Sequence, residues 1–167
     1  MTAGLYIHIP FCDIKCGYCD FYTVTKRNSL IPSYLQALEK EINSYAADPT
    51  CSDLQFGSIF LGGGTPSLLS PEQLSSILQL VRTNFSVVDE AEVTLETNPG
   101  TVDLGKLQGF LKAGVNRLSL GVQSFHPEEL QFLDRDHSAE QSASAIIQAR
   151  QAGFANISID LIFGLPE

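Results

Sequence analysis

Apolar and polar positions along the chain alternate between two patterns, short strand-like runs and longer helical repeats. Five strand-like runs, each five to seven residues long, have the length and composition of β-strands. Between them, apolar residues recur at the i, i+3, i+4 spacing of amphipathic helices. The pattern therefore predicts a repeated strand–helix order. The predicted strands are Leu5–Ile9, Phe56–Leu61, Ala91–Thr97, Asn116–Leu120 and Ile157–Ile162.

Capping residues mark where the predicted helices begin. Ser70-Pro71-Glu72-Gln73 combines a serine N-cap, a proline at the first helical position and a glutamine three residues after the cap. Ser138-Ala139-Glu140-Gln141 repeats the serine–glutamine capping pair. The predicted helices cover about residues 32–47, 71–84, 103–113, a short segment from Pro127, and 139–153.

Alternating strands and helices predict an α/β fold with a parallel sheet and right-handed crossovers. The polar and glycine-rich segments directly follow the predicted strands, which is typical of a TIM-type barrel. A doubly wound open sheet is the alternative. A full barrel needs about 250 residues and eight strands. We therefore expect residues 1–167 to form the N-terminal portion of a barrel domain, a TIM-like (βα) partial barrel truncated after about five strands.

Composition and charge narrow the class of function. The 167 residues include 10 Lys and Arg against 19 Asp and Glu, for a net charge of −9, so nucleic acid is not an expected partner. A hydrophobic content of 44% is enough for a core and excludes wholesale disorder. No apolar stretch approaches the ~20 residues of a transmembrane helix. Residues 1–10 lack the basic start of a secretory signal, so we expect a cytoplasmic protein.

Three of the four cysteines lie close together, as Cys12-x3-Cys16-x2-Cys19, whereas Cys51 stands alone. Three thiolates on one loop can bind three irons of a [4Fe–4S] cluster and leave the fourth iron free for an exogenous ligand. A zinc site completed by His8 is the alternative, although the spacing is not the paired CxxC of zinc modules. A disulfide would leave one of the three unpaired. The spacing favours an iron–sulfur cluster.

A glycine run, Gly62-Gly63-Gly64-Thr65-Pro66, follows the second predicted strand. Glycines allow a ligand to approach the backbone closely and allow positive φ. A nucleotide phosphate loop is disfavoured because neither GK[ST] nor GxGxxG is present. A tight structural turn explains the run almost as well as a ligand site does.

These motifs occur in a fixed order with several others, and together they resemble one family. The chain resembles, over essentially its whole length, the radical SAM enzymes of the oxygen-independent coproporphyrinogen III oxidase group. The resemblance implies that Cys12, Cys16 and Cys19 bind a [4Fe–4S] cluster. It also implies that S-adenosylmethionine (SAM) coordinates the fourth iron through its amino and carboxylate groups. The segments that carry the resemblance are residues 6–12 (YIHIPFC), the cysteine loop with Tyr18, GGGTPS, ETNPG, NRLSLGVQSF and DLIFGLP.

The resemblance also implies which residues contact SAM. Gly63, Gly64 and Thr65 would meet its methionine end, and Glu96 would accept hydrogen bonds from ribose hydroxyls or an ammonium group. A donor such as a flavodoxin or ferredoxin would supply the electron that cleaves SAM to methionine and a 5′-deoxyadenosyl radical. The full implied set is Tyr6, Tyr18, Gly63, Gly64, Thr65, Glu96, Gln123, Arg135 and Asp160.

Taken one at a time, some of these residues also have purely structural explanations. Glu96 alone would be a strand-end carboxylate in water. Arg135 lies in the polar stretch Asp134-Arg135-Asp136-His137 and, without the resemblance, would be assigned to a solvated turn. Asp160 lies within an apolar run, where an unpaired charge is costly, so we expect a buried partner or a functional role.

The remaining histidines and the fourth cysteine are expected to be structural. His8 is interpreted as a core-facing or loop-supporting residue, His126 as a helix-start residue and His137 as a loop residue. Cys51 lies in a stretch predicted to be a polar loop and is interpreted as an incidental free thiol.

One position departs from the dehydrogenases of this group. They carry a further cysteine two residues after the third, where this chain has Phe21. This difference argues against coproporphyrinogen decarboxylation and favours the haem chaperones of the group. The resemblance to these chaperones implies that the protein binds haem as cargo and delivers it to respiratory proteins. Such partners would bring the protein to a membrane. The alternatives are an oxygen-independent coproporphyrinogen III oxidase and a non-catalytic module that binds metal for structure alone. No catalytic residue is assigned.

Overall fold

The computed structural model describes residues 2–166, apart from the side chain of residue 52. None of the helices within these residues is long and apolar enough to cross a membrane. The strands are β1 (Ala3–Ile9), β2 (Phe11–Cys12), β3 (Val24–Thr25), β4 (Gln55–Gly63), β5 (Ser86–Thr97), β6 (Arg117–Gln123) and β7 (Asn156–Leu161). The helices are α1 (Ile31–Ala46), α2 (Pro49–Ser52), α3 (Pro71–Asn84), α4 (Leu104–Ala113), α5 (Pro127–Phe132) and α6 (Ala139–Ala152).

Five of the strands form one parallel sheet in the order β1-β4-β5-β6-β7. Each strand lies beside the next sheet strand along the chain, with at least one helix between them. The order never reverses, whereas a doubly wound sheet reverses its strand order at a switch point. The predicted α/β class with five parallel strands is confirmed, and the doubly wound alternative is wrong.

The helices cover one face of the sheet and leave the other face polar. Along β5, Val93 and Leu95 are fully buried beneath the helices, while Glu92 and Glu96 alternate with them on the opposite face. Helices α1, α3, α4 and α6 lie side by side in the order of the strands that they connect. The core therefore lies between the sheet and this single helical layer. Its fully buried side chains include Ile9, Ile59, Leu61, Leu74, Leu95, Leu107, Phe110, Leu118 and Phe154.

The predicted helix boundaries agree with the capping chemistry. Ser70 and Ser138 each form a capping box with the glutamine three residues later, as predicted. Gly114 and Gly153 follow α4 and α6 with φ values of 108° and 109°, the left-handed conformation that glycine adopts without a steric penalty. These ends fix how each helix turns back toward the next strand.

Four local elements differ from the prediction. β5 begins at Ser86, five residues earlier than predicted, because Ser86 and Val87 pair with the start of β4 before a register shift. The stretch around Cys51 is helix α2 rather than a polar loop, and Asp48 caps it by accepting from Thr50 N at 2.8 Å. The two-residue strands β2 and β3 flank the cysteine loop and were not predicted.

Candidate functional site

The cysteine segment lies at the carboxyl edge of the sheet. β1 continues through Pro10 into β2, which contains the buried Cys12. Cys16 and Cys19 follow in a turn in which Cys19 N donates to Cys16 O at 3.0 Å. All three are free thiols and line one small pocket of about 60 Å³. Across this pocket lie Gly63, Gly64, Thr65, Asn98, Thr101, Arg135 and Asp136.

The glycine run holds the cysteine segment by close backbone contacts. Gly64 N donates to Ile9 O at 2.8 Å, and Thr65 N donates to Phe11 O at 2.7 Å. A Cβ atom on Gly64 would lie 2.6 Å from Phe11 O and 2.9 Å from Ile9 O, well inside van der Waals contact. Gly64 is therefore required by the packing of β4 against the cysteine segment. These contacts support the structural-turn interpretation of this run, and the ligand-site interpretation stays a prediction.

Arg135 connects the cysteine segment to β6. Its Nη1 donates to Cys16 Sγ and to Tyr18 Oη, each at 3.3 Å, and its Nη2 donates to Gly121 O at 2.9 Å. Among the described residues, Arg135 Nε is buried and has no hydrogen-bond partner. The expectation of a solvated turn, which rested on the surrounding charges alone, is wrong. The side chain instead crosses from the sheet to the cysteines.

A larger cleft of about 560 Å³ continues from the cysteine pocket along the polar face of the sheet. Of the nine residues predicted to contact SAM, eight line this cleft. The ninth, Tyr6, does not, but its ring stacks on Phe60, which does, with 6.1 Å between ring centroids. The eight are Tyr18, Gly63, Gly64, Thr65, Glu96, Gln123, Arg135 and Asp160.

Two carboxylates face this cleft from β5 and β7, the strands on either side of β6. Glu96 Oε2 accepts from Gly63 N at 2.9 Å. Burial raises the pKa of Glu96, the bond from Gly63 opposes the rise, and the charge of Asp160 adds to it. Asp160 is exposed and accepts from Ser119 Oγ, at 3.2 Å to each oxygen. Ser119 is buried, at 8% exposure, which agrees with the expectation of a buried partner, and the functional role of Asp160 stays a prediction.

The sulfur atoms lie in an environment suited to thiolate ligands. Thr65 Oγ1 donates to Cys12 Sγ at 3.4 Å, so two of the three sulfurs accept hydrogen bonds, the other being Cys16. Burial raises the pKa of the Cys12 thiol, and the bond from Thr65 opposes part of the rise. A bound metal displaces such a proton, because the thiolate is the ligand. Three free thiols on one pocket, with hydrogen-bond donors at two of the sulfurs, fit an iron–sulfur cluster.

His8 supports the cysteine loop from outside that pocket. Its Nδ1 pairs with Tyr6 Oη at 3.0 Å, and its Nε2 pairs with Tyr22 O at 2.9 Å. Both ring nitrogens are therefore engaged away from the cysteines, which leaves the zinc alternative without its fourth ligand. In residues 2–166, no group of three or more His, Cys, Asp or Glu side chains is arranged to hold a single metal ion.

Sequence reasoning missed three residues around Arg135. Asn98 Nδ2 donates to Asp136 Oδ1 at 2.9 Å and so joins the β5 end to the loop between α5 and α6. His137 lies in that loop, as predicted, but is only 4% exposed, with Nε2 3.1 Å from Val122 O. The charged run of residues 134–137 has no apolar pattern that would indicate burial. Of these three residues, only Asn98 could have been recognised from the sequence as a site residue, because it lies within the ETNPG motif.

The family is established by sequence and structure together. Residues 6–167 match the model of the Radical SAM superfamily, and the chain therefore belongs to this superfamily. It is 38% identical over 168 residues to the heme chaperone HemW of Haemophilus influenzae, covering 98% of this chain and 43% of that protein. It is also 38% identical over 166 residues to the oxygen-independent coproporphyrinogen III oxidase of Bradyrhizobium diazoefficiens, covering 99% of this chain and 37% of that protein.

A solved structure supports the same assignment. The coproporphyrinogen III oxidase HemN from Escherichia coli, a radical SAM enzyme, matches with a TM-score of 0.87 and 36% identity, covering 98% of this chain and 37% of that chain. The predicted resemblance and the radical SAM fold are confirmed. The chain spans about two fifths of the length of these relatives.

The docking of the glycine run generates a stability prediction. Gly64→Ala should lower the free energy of unfolding by about 1–3 kcal/mol, the usual cost of forcing extra volume into a packed site. Gly105→Ala is the matched control, because its Cβ on α4 would meet nothing closer than Asp103 Oδ1 at 3.5 Å. The control should gain about 0.5–1 kcal/mol from helix propensity. Urea unfolding measures both, and wild-type stability of Gly64→Ala would contradict the packing argument.

Proposed function

We propose that this chain is the N-terminal portion of the barrel domain of a radical SAM haem chaperone. The main observation in support is that the three cysteines and eight of the nine expected SAM contacts line one continuous cleft at the carboxyl edge of the sheet. Carboxyl edges of parallel strands are where barrel proteins bind ligands. Similarity to proteins named heme chaperone HemW in Haemophilus influenzae and Bacillus subtilis, the latter at 42% identity, supports the chaperone assignment.

In this proposal Cys12, Cys16 and Cys19 would bind three irons of a [4Fe–4S] cluster and leave the fourth iron free for SAM. Their shared pocket and free thiols support this role. When bound, the cluster supplies the electron that cleaves SAM, with a flavodoxin or ferredoxin as its source. Tyr18, half-exposed at the mouth of the pocket, shields the cysteines from water.

The remaining cleft residues bind and orient SAM. Arg135 lines the cleft, and its guanidinium suits the carboxylate of the methionine end. Glu96 and Asp160 are acceptors for the ribose hydroxyls or the ammonium group. Gly63 and Gly64 leave their backbone accessible on the cleft side.

Phe21 supports a chaperone rather than an oxidase. Its ring lines the cleft and is 63% exposed, at the position where the dehydrogenases of the group carry an additional cysteine. An aromatic ring there supplies neither a metal ligand nor a proton donor. We infer that haem is the cargo and that haem-accepting respiratory proteins are the partners, reached from the cytoplasm. An oxygen-independent coproporphyrinogen III oxidase is the second candidate, supported by the close match to the HemN structure.

The cluster assignment predicts which cysteines matter. Cys12→Ser, Cys16→Ser and Cys19→Ser should each abolish the visible thiolate-to-iron absorption of anaerobically reconstituted protein, which in the wild type should bind about four irons per chain. Cys51→Ser is the matched control and should keep both iron and absorption. Iron and zinc analysis checks the metal. Zinc in place of iron would favour the structural metal-binding module, and dependence on Cys51 would contradict the ligand assignment.

The chaperone assignment predicts a missing activity. The full-length protein, supplied with cluster, SAM and reductant, should release no CO₂ from coproporphyrinogen III, whereas the Escherichia coli HemN enzyme assayed in parallel should release it. Haem added to the same preparation should bind, with a shifted Soret absorption band. Release of CO₂ at a rate comparable to that of HemN would instead establish the oxidase.

A further inference from the structure

His137 is a buried histidine beside the proposed cluster site, and no role follows for it from the family resemblance. It lies in the loop between α5 and α6 and is one of the few buried polar side chains among the described residues. Its Nε2 lies 3.1 Å from Val122 O, and its Nδ1 lies 3.5 Å from Arg135 Nη2. The imidazole therefore joins the backbone of β6 to the guanidinium that contacts Cys16.

Its two partners determine the protonation of the ring. The carbonyl of Val122 can only accept a hydrogen bond, so Nε2 carries a proton, and the guanidinium of Arg135 can only donate, so Nδ1 is unprotonated. Asp136 Oδ1 lies 3.7 Å from Nδ1, slightly farther than Arg135 Nη2 at 3.5 Å, and it also accepts from Asn98 Nδ2. The contacts with His137 and Asn98 lower the pKa of Asp136 to about 2, so its carboxylate is the competing partner for Nδ1. The neutral Nε2–H tautomer is the state that satisfies both contacts.

This tautomer fixes where the charge of Arg135 lies. Nη2 is held between Gly121 O and His137 Nδ1, and the opposite nitrogen, Nη1, then reaches Cys16 Sγ at 3.3 Å. The corresponding donor to Cys12 is the neutral hydroxyl of Thr65. Of these two sulfurs, Cys16 is therefore the one held against a full positive charge. Hydrogen bonds and charge at ligand sulfurs set the reduction potential of an iron–sulfur cluster.

We propose that His137 is a positioning residue that holds Arg135 against the sulfur of Cys16 and thereby raises the reduction potential of the cluster. The proposal rests on the proposed function, since it requires a cluster at the three cysteines. The physical reason is that reduction adds negative charge beside a fixed cation, so a correctly placed guanidinium stabilises the reduced state.

Two substitutions separate positioning of Arg135 from simple support of β6. In His137→Gln the amide nitrogen takes the place of Nε2 and can donate to Val122 O, but nothing accepts from Arg135. In His137→Asn the amide oxygen takes the place of Nδ1 and can accept from Arg135, but nothing donates to Val122 O. His126→Gln, at the exposed start of α5, is the control.

The readout is the cluster potential, measured by a redox titration monitored by electron paramagnetic resonance without SAM. We expect His137→Gln to lower the ratio of reduced to oxidised cluster about tenfold at a fixed potential, a shift of about 59 mV for one electron. His137→Asn and His126→Gln should retain the wild-type potential. A wild-type potential in His137→Gln, or an equal shift in His137→Asn, would overturn the proposal.

A second readout needs no cluster. Long-range ¹H–¹⁵N NMR spectra of the cluster-free chain should show His137 protonated at Nε2 and unprotonated at Nδ1, and a proton on Nδ1 would overturn the positioning role. If the wild-type chain assembles no cluster, the proposed function fails, and the effect on potential fails with it. The NMR result then still decides whether His137 positions Arg135.

Discussion

The structure depends on the close docking of the glycine run against the backbone that leads into the cysteines. Gly64 and Thr65 donate to Ile9 O and Phe11 O, and the space beside Gly64 excludes even a methyl group. Because both segments come from the ends of buried parallel strands, the rigidity of the sheet passes directly to Cys12. The loop that carries the three cysteines thereby has one fixed end, which a preorganised metal site requires.

From that fixed end, hydrogen bonds extend along the carboxyl edge of the sheet. Arg135 ties β6 to Cys16 and Tyr18, while Glu96 ties β5 to Gly63. Arg135 reaches Cys16 from the loop between α5 and α6, whereas the acceptors Glu96 and Asp160 face the cleft from β5 and β7. The site thus has one guanidinium beside Cys16 and two carboxylates along the cleft. A zwitterionic, sulfonium-bearing ligand such as SAM matches these charges.

The sequence allowed the architecture to be predicted because its signals are local. Strand runs such as residues 5–9, and serine caps such as Ser70, depend on neighbours a few positions away. The position of the cysteines after β1 and the chemistry of their spacing were readable in the same way. The contacts between residues distant in the sequence could not be predicted in this way. The burial of His137 beside Val122 O, and the pairing of Asp160 with Ser119 on the neighbouring strand, depend on residues distant in the sequence and are not encoded in the adjacent residues.

The central claim is that the three cysteines hold a cluster whose fourth iron is open to the cleft. Mössbauer spectra of the chain reconstituted with ⁵⁷Fe, recorded without and with SAM, test it most directly. The account predicts the spectrum of a [4Fe–4S] cluster in which one of the four iron sites changes when SAM is added. A spectrum that SAM leaves unchanged, or iron bound without a four-iron cluster, would contradict it.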